Sequence, residues 1–387
     1  MSKTGYKRLG DYIREVDVRN RDLEVTKLLG VSISKEFMPS IANTIGTDMS
    51  SYKVVEPRQF AYGPVTSRNG DKVSIALYKD GEKAIVSQAY TIFEVTNKLE
   101  LLPEYLMMWF HRPEFDRYAR FKSHGSAREI FSWEEMCDVE LPIPPIDQQQ
   151  KIVAEYNAIQ QRIKLNEQLI VKLEETAQAI YRKMFVDGID KNNLPEGWRM
   201  GVLGDVAEYV NEKTSLKDIN EAAYISTENM LKNRKGIICS TNKPNNGKGT
   251  RFMVDDILIS NIRPYFKKIW RASFSGASSN DILCIRVKNI FNASVLYYTL
   301  EKDLFFDYVM AGSNGVKMPR GDKKWIMKYP IVIPCTDKIE QYNIKTNGIQ
   351  KHINICKKEN SKLKEIKLLI LITLVSNKNG RVKNLIK

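Results

Sequence analysis

Between residues 147 and 185 the apolar positions advance in alternating steps of four and three. Ile152, Tyr156, Ile159, Ile163, Asn166, Ile170, Leu173, Ala177, Ile180 and Met184 form one stripe. That spacing is the a/d pattern of a helix that pairs with another helix. Asp147 is placed to act as a cap or as a dipole partner in the first turn. Asn166 is the polar position of the stripe, suited to fixing register. A helix of about 38 residues spans on the order of 55–60 Å, more than one small domain can cover, so it needs a partner.

The partner is written in the second half of the chain. Ile349, Ile353, Cys356, Leu363, Ile370 and Leu374 repeat the stripe less regularly, with Asn360 and Lys367 interrupting it. An offset of 190 residues relates Ile143 to Ile333, Pro144 to Pro334, Asn157 to Asn347, Ile163 to Ile353 and Glu175 to Glu365. The same offset relates Leu106 to Leu296, Phe115 to Phe305, Tyr118 to Tyr308 and Gly125 to Gly315, while Trp133 and Trp325 fall two residues out of step. Near the start, Gly5-Tyr6-Lys7 with Leu9-Gly10-Asp11 returns as Gly197-Trp198-Arg199 with Leu203-Gly204-Asp205. Helical periodicity alone does not explain matched prolines and glycines outside the helices, so the chain is a duplication. Two helices related by an approximate two-fold axis would pair antiparallel through Ile152, Ile159, Ile163, Ile170, Leu173 and Ile180 on one and Ile349, Ile353, Leu363 and Ile370 on the other. The blander arrangement has each helix folding back on its own globule.

Ahead of each helix lies a mixed region. Short β-rich runs, Lys83-Ala84-Ile85-Val86 and Asp256-Ile257-Leu258-Ile259, stand among turn residues, and helical stretches follow at 104–122 and 293–311. Pro113 is expected to break or kink the first of these stretches. Pro142-Ile143-Pro144-Pro145 and Pro330-Ile331-Val332-Ile333-Pro334 then favour an extended exit. The predicted class is α+β, with two tandem globules at 1–145 and 196–335, long helices at 146–190 and 336–376 pairing as an antiparallel coiled coil, and a tail at 377–387.

Composition narrows the function. The 387 residues carry a formal net charge of +14, which favours a polyanion such as nucleic acid, with an acidic membrane surface as the blander competitor. No stretch reaches the roughly 18 apolar residues of a membrane span, and the start lacks a secretory core. Cys137, Cys239, Cys284, Cys335 and Cys356 form no CxxC pair and are odd in number, which fits a reducing cytoplasm. His111, His124 and His352 form no metal-ligand cluster, so no metal is expected.

Enzymatic chemistry finds little support. Asp322-Lys323-Lys324 has an acid-x-Lys spacing without a companion Pro-Asp, and a solvated loop is the plainer reading. Asn261-Ile262-Arg263-Pro264-Tyr265 resembles an amino-methyltransferase loop only superficially, because no glycine-rich cofactor turn precedes it. Asn245-Asn246-Gly247-Lys248-Gly249-Thr250 lacks the spacing of a P-loop. What remains is binding. Donors and aromatics mix in loop-rich sequence at Arg58, Tyr62, Arg68, Asn69, Lys72, Ser87, Gln88 and Arg128. They do so again at Lys248, Arg251, Asn261, Arg263, Tyr265, Lys267, Lys268, Ser278, Ser279, Lys317 and Arg320. Arg and Lys anchor phosphates, while Arg, Asn and Gln can read base edges.

Over its whole length the chain resembles the specificity subunit of type I restriction-modification systems. The residues that carry the resemblance are Leu-Gly-Asp at Leu9 and Leu203, Gly125-Ser126-Ala127-Arg128 before Trp133, the Pro142 exit followed by Asp147-Gln148-Gln149-Gln150-Lys151-Ile152, and Asn-Gly-Val at Asn314. It implies a non-catalytic subunit with two target-recognition domains, each reading half of a split site on double-stranded DNA, and helices that set the unread spacer. It also implies two modification subunits that methylate adenine with S-adenosylmethionine, and restriction subunits that use ATP, with no cofactor on this chain. Gly321 and Asp322 in place of Phe131 and Ser132, and Cys335 in place of Pro145, depart between the copies. The reading stretches around Arg68 and Arg263 hardly align, so the expected site is asymmetric. The competing readings are a divergent methyltransferase or nuclease, and a coiled-coil scaffold binding DNA non-specifically.

Overall fold

The computed structural model describes residues 6–375 except 41–45, 68, 71, 126–127, 239, 241, 289–290 and 316. Arg68, Ser126, Ala127, Val316, Cys239 and the tail at 377–387 therefore lie outside the described residues. The chain divides into two units. One comprises residues 1–167 and 357–387, the other residues 168–356, so both long helices contribute to both units.

In the first unit the central sheet is antiparallel, in the order Ile13–Val16, Thr91–Val95, Phe60–Tyr62, Ile75–Leu77. Every residue of Phe60–Tyr62, Ile75–Leu77 and Ala84–Val86 is buried. Such strands show no polar alternation because both sheet faces are covered. Phe60, Tyr62, Ile75, Leu77 and Phe93 face the helices Pro103–Phe110 and Pro113–Phe121. Ala61, Ala76 and Ile92 face an outer layer built from Leu29, Val31, Val55 and Val86. Proline at the first position of each helix opens a new one rather than kinking a single helix, since a first-turn N–H needs no partner.

The second unit repeats the order with Ala207–Tyr209, Ile282–Val287, Ile257–Ser260 and Ile269–Arg271. Its helices Ala293–Leu300 and Asp303–Ala311 keep the 190-residue offset and the break, although no proline stands there. The expected single stretch 293–311 is thus two helices. The outer layer differs: Lys213–Ser215, Lys248–Phe252, Gly276–Ser278 and Tyr224–Ile225 form a second four-stranded sheet whose last pair is parallel.

Each unit is closed by its first and last strands, Tyr6–Arg8 with Glu140–Pro142 and Arg199–Val202 with Pro330–Ile333. Leu9 and Leu203 of the repeated Leu-Gly-Asp are both fully buried, and their N–H groups donate to the carbonyls of Val139 and Tyr329 at 2.8 and 2.9 Å. Short helices follow the same offset, Trp133–Cys137 and Lys323–Met327, capped by the side chains of Ser132 and Asp322. Lys323 therefore occupies the place of Trp133. Trp325 instead stacks on Tyr308 at 4.9 Å, over Gly312, which explains why the tryptophans fall out of step.

The long helices run Ile146–Phe185 and Thr336–Thr373. Gln149, fully buried, ties the first to its globule by accepting from Leu102 N and donating to the carbonyls of Glu100 and Pro144. In the first unit Ile152, Tyr156, Ile370, Leu371 and Leu374 join the core of Leu9, Phe60 and Trp109. Arg162 pairs with Glu359 at 2.9 Å, and Asn166 bonds Glu359 and Asn360. In the second unit Tyr181, Phe185, Ile339 and Tyr342 join the core of Leu203, Leu296 and Phe305. Within each unit, segments of the two long helices pack on each other and on the globule.

Candidate nucleic-acid interface

In each unit the central strand delivers the chain into a loop at its C-terminal end, at 63–74 and at 261–268. The hairpin at 123–131, and its counterpart at 313–321, lies alongside. Val65 bridges Ile130 in one unit and Ile262 bridges Arg320 in the other; Ile130 and Arg320 are related by the 190-residue offset, whereas Val65 and Ile262 lie 197 residues apart. Thr66 N donates to Glu129 O and Phe131 N to Pro64 O, both at 2.9 Å. Correspondingly, Arg263 N donates to Pro319 O at 2.8 Å. Stretches with little sequence similarity thus occupy equivalent places.

In the first unit this edge brings together Asn69, Lys72 and Arg128, with Ser87 and Gln88 on the adjoining turn before Thr91, which pairs with Tyr62. Lys72, Gln88 and Arg128 are exposed. Arg58 stands apart, at the opposite end of the central strand, with a positive φ of 71° and an ion pair to Glu104 at 3.2 Å. Tyr62 is a correction. Its side chain is 0% exposed, its ring meets Phe93 and Phe131, and it belongs to the core.

In the second unit Asn261, Arg263, Tyr265, Lys267, Lys268, Ser279, Lys317 and Arg320 gather on the corresponding edge. Arg263 and Lys267 both take left-handed backbone, at φ 50° and 51°, flanking the single turn Pro264–Phe266. This geometry, which costs an ordinary side chain on the order of 1 kcal/mol or more, thrusts Tyr265 outward to 45% exposure. Arg320 pairs with Asp281 at 3.1 Å, and Lys267 shares Asp303 with Arg234. Hydrogen bonds from Lys267 and Arg234 hold the Asp303 carboxyl below the usual carboxylate range. Burial, then the nearby Lys232, pushes the Lys268 ammonium down, and its Nζ donates to Thr227 O at 2.6 Å. Lys248 is exposed at the head of its strand, and Arg251 pairs with Glu212 at 2.9 Å. Ser278 is the second correction, since it is fully buried between two strands.

Sequence reading missed the loop 231–236. Asn233 N and Arg234 N donate to the carbonyls of Phe266 and Lys267, and Lys232 Nζ lies 4.1 Å from the Phe266 ring. The run Lys232-Asn233-Arg234-Lys235-Gly236 was the signal available for it. The suspected chemistry dissolves elsewhere. Asp322 is a helix cap accepting from Trp325 N at 2.8 Å, and Lys248 begins a strand instead of following a phosphate loop. Among the described residues no group of three or more His, Cys, Asp or Glu side chains is placed to hold a metal ion, and no helix is long and apolar enough to cross a membrane.

A family model described as the Type I restriction modification DNA specificity domain matches residues 35–175. That segment is similar to the domain the model describes. The specificity subunit of the type I restriction enzyme HindI from Haemophilus influenzae is 24% identical over 149 residues, 38% of this chain and 32% of that protein. The match thus spans about a third of the curated relative's length. Among solved structures, the type I restriction-modification S subunit from M. genitalium is similar over 98% of both chains at 13% identity, with a TM-score of 0.56. The HsdS subunit from Thermoanaerobacter tengcongensis covers 97% of each chain at 19% identity, with a TM-score of 0.37. The M. genitalium likeness is one of fold. The specificity-domain match includes the 63–74 and 123–131 loops and the first seven of the ten stripe positions on the long helix.

Proposed function

We propose that the chain is the DNA sequence-specificity subunit of a type I restriction-modification complex, non-catalytic itself. One observation carries the reading: the segment matching the DNA specificity domain has a counterpart in the second unit with the same sheet order and the same loop pairing, but a different outer layer. A shared frame with unlike loops suits the reading of two different half-sites on duplex DNA, hence an asymmetric bipartite target. Two modification subunits bearing S-adenosylmethionine and restriction subunits using ATP supply the chemistry. The long helices, paired antiparallel, set the spacer between the half-sites.

Asn69, Lys72, Arg128, Arg263, Tyr265, Lys317 and Arg320 are the side chains in position to meet the duplex. Bidentate pairs from Arg or Asn to base edges discriminate by about 1–3 kcal/mol each. The test is to express the chain with its modification partners and map methylated adenines. A split, asymmetric site in which replacing residues 1–145 changes only one half is the expected outcome. Methylation by the isolated chain, or both halves changing together, would overturn the proposal.

A further inference from the structure

On the second unit, next to the loop cluster, lies a cavity of about 110 Å³ lined by Tyr209, Asn211, Lys213, Thr250, Asn280 and Lys323. It has room for several water-sized groups. Lys213 Nζ donates to Thr250 Oγ1 at 3.0 Å and to Asn280 Oδ1 at 2.8 Å, which holds the ammonium in the cavity wall. Lys323 Nζ lies 5.8 Å from the centre of the Tyr209 ring, whose hydroxyl donates to Lys323 O at 3.1 Å. The arginines nearby are neutralised, Arg251 by Glu212 and Arg320 by Asp281. Among the described residues, no carboxylate pairs with either lysine.

Two ammonium groups without an ion-pair partner among the described residues, a hydroxyl and two amides thus converge on one concave space, with the Asp322 carboxylate near enough to act on the Tyr209 hydroxyl. Such a wall focuses positive potential inward, and Lys is a point-charge ligand for phosphate. The surroundings indicate whose phosphate. Asn280 precedes Asp281, which accepts from Asn261 N at 2.9 Å through its carbonyl and pairs with Arg320 through its carboxylate. The cavity therefore opens beside the loops assigned to the duplex. In the first unit the residue equivalent to Lys323 is Trp133, which packs on Phe93 at 5.4 Å, a contact of two aromatic rings in place of an ammonium.

We propose that this cavity is a phosphate pocket taking one backbone phosphodiester of the bound duplex, held by Lys213 and Lys323; this rests on the DNA-binding reading above. The contact anchors and orients without reading sequence. Because Trp133 stands in the first unit where the second has Lys323, the anchor is one-sided.

The test measures affinity of the full-length chain for a labelled random-sequence duplex several turns long, across a fourfold range of KCl. The K213Q/K323Q double variant is expected to bind more weakly at low salt, with a salt slope smaller by about 0.9, so that its deficit shrinks about 3.5-fold across the range. A second duplex of scrambled sequence should show the same loss. K323W, which installs the first unit's residue, provides the effect through a separately folded variant if the double variant melts early. Wild-type binding with unchanged slopes in the folded variants overturns the pocket alone. Wild-type failure to bind any duplex overturns the DNA reading and the pocket with it. Inorganic phosphate, titrated at constant ionic strength, separates the sources: a melting shift that requires both lysines, alongside unchanged duplex slopes, would assign the cavity to a free anion and overturn the phosphodiester assignment.

Discussion

The side-chain amide of Asn166 donates to Asn360 Oδ1 at 2.8 Å, and both residues are buried between the long helices in the first unit. Asn166 also donates to Glu359, and Asn360 donates to Ile163 O at 3.4 Å. A one-heptad slip would bury these amides against apolar side chains. Asn166→Leu alone leaves Asn360 with an unmet acceptor and should lower stability by about 1–3 kcal/mol. The N166L/N360L double variant should recover much of that stability, because an apolar pair needs no partner, yet specify register less strictly. Thermal melting reads the first effect. Mapped methylation sites with more than one spacer length read the second, and a single unchanged spacer in the double variant would show that the pair does not set register.

Acid should loosen the first unit through His111. Burial, reinforced by Lys35 and Lys367, pushes its imidazole down from the usual 6.5 to about 3. A group whose folded value lies below its unfolded value stabilises the fold when deprotonated, so the contribution is complete above pH 6.5 and declines as pH falls toward 3. Between pH 7.5 and pH 5 the loss is on the order of 2 kcal/mol. His111→Gln, neutral throughout, should flatten this part of the melting profile; an identical slope in the variant would place the acid sensitivity elsewhere.

Gly312 and Trp325 make a steric prediction. A Cβ at Gly312 would lie 2.1 Å from the Trp325 ring, so Gly312→Ala must break the stack of Trp325 on Tyr308. The expected destabilisation is about 1–3 kcal/mol, with a change in tryptophan emission. Adding Trp325→Ala should remove the clash, so the two substitutions should be clearly non-additive in a double-mutant cycle.

Recognition should divide by unit. Arg128→Ala should relax one half of the methylated site and Arg263→Ala the other, each weakening the correct sequence by about 1–3 kcal/mol where the arginine meets a base. Methylome sequencing distinguishes this from a phosphate contact, which lowers modification of all sites alike.

The duplication, the long helices and the strand at Ala84–Val86 were legible because periodicity and offset are properties of one continuous sequence. Tyr62 and Ser278 were misassigned for a physical reason. In three-residue strands buried on both faces, a polar-looking side chain gives no sign of which layer covers it. The second helical stretch hid its break because Glu301 and Lys302 interrupt it without proline. Asp322 read as part of a solvated loop, whereas its side chain caps the start of a short helix, a job Ser132 does in the other copy. Lys213 and Lys323 went unnoticed because the fold brings together residues far apart in sequence around one cavity.

Leu371 and Leu374 share a core with Leu9 and Phe60, and the Tyr6 hydroxyl lies 3.5 Å from Val375 O. The second unit is assembled from a continuous run, residues 168–356. During synthesis on the ribosome, that middle stretch has all its parts before the first unit does, reversing the usual amino-terminal-first order. The first unit must wait, with the apolar bed for Leu371 and Leu374 uncovered, until residues 357–375 emerge. A chain cut off near residue 356 would have a second unit that is whole and a first that is still open.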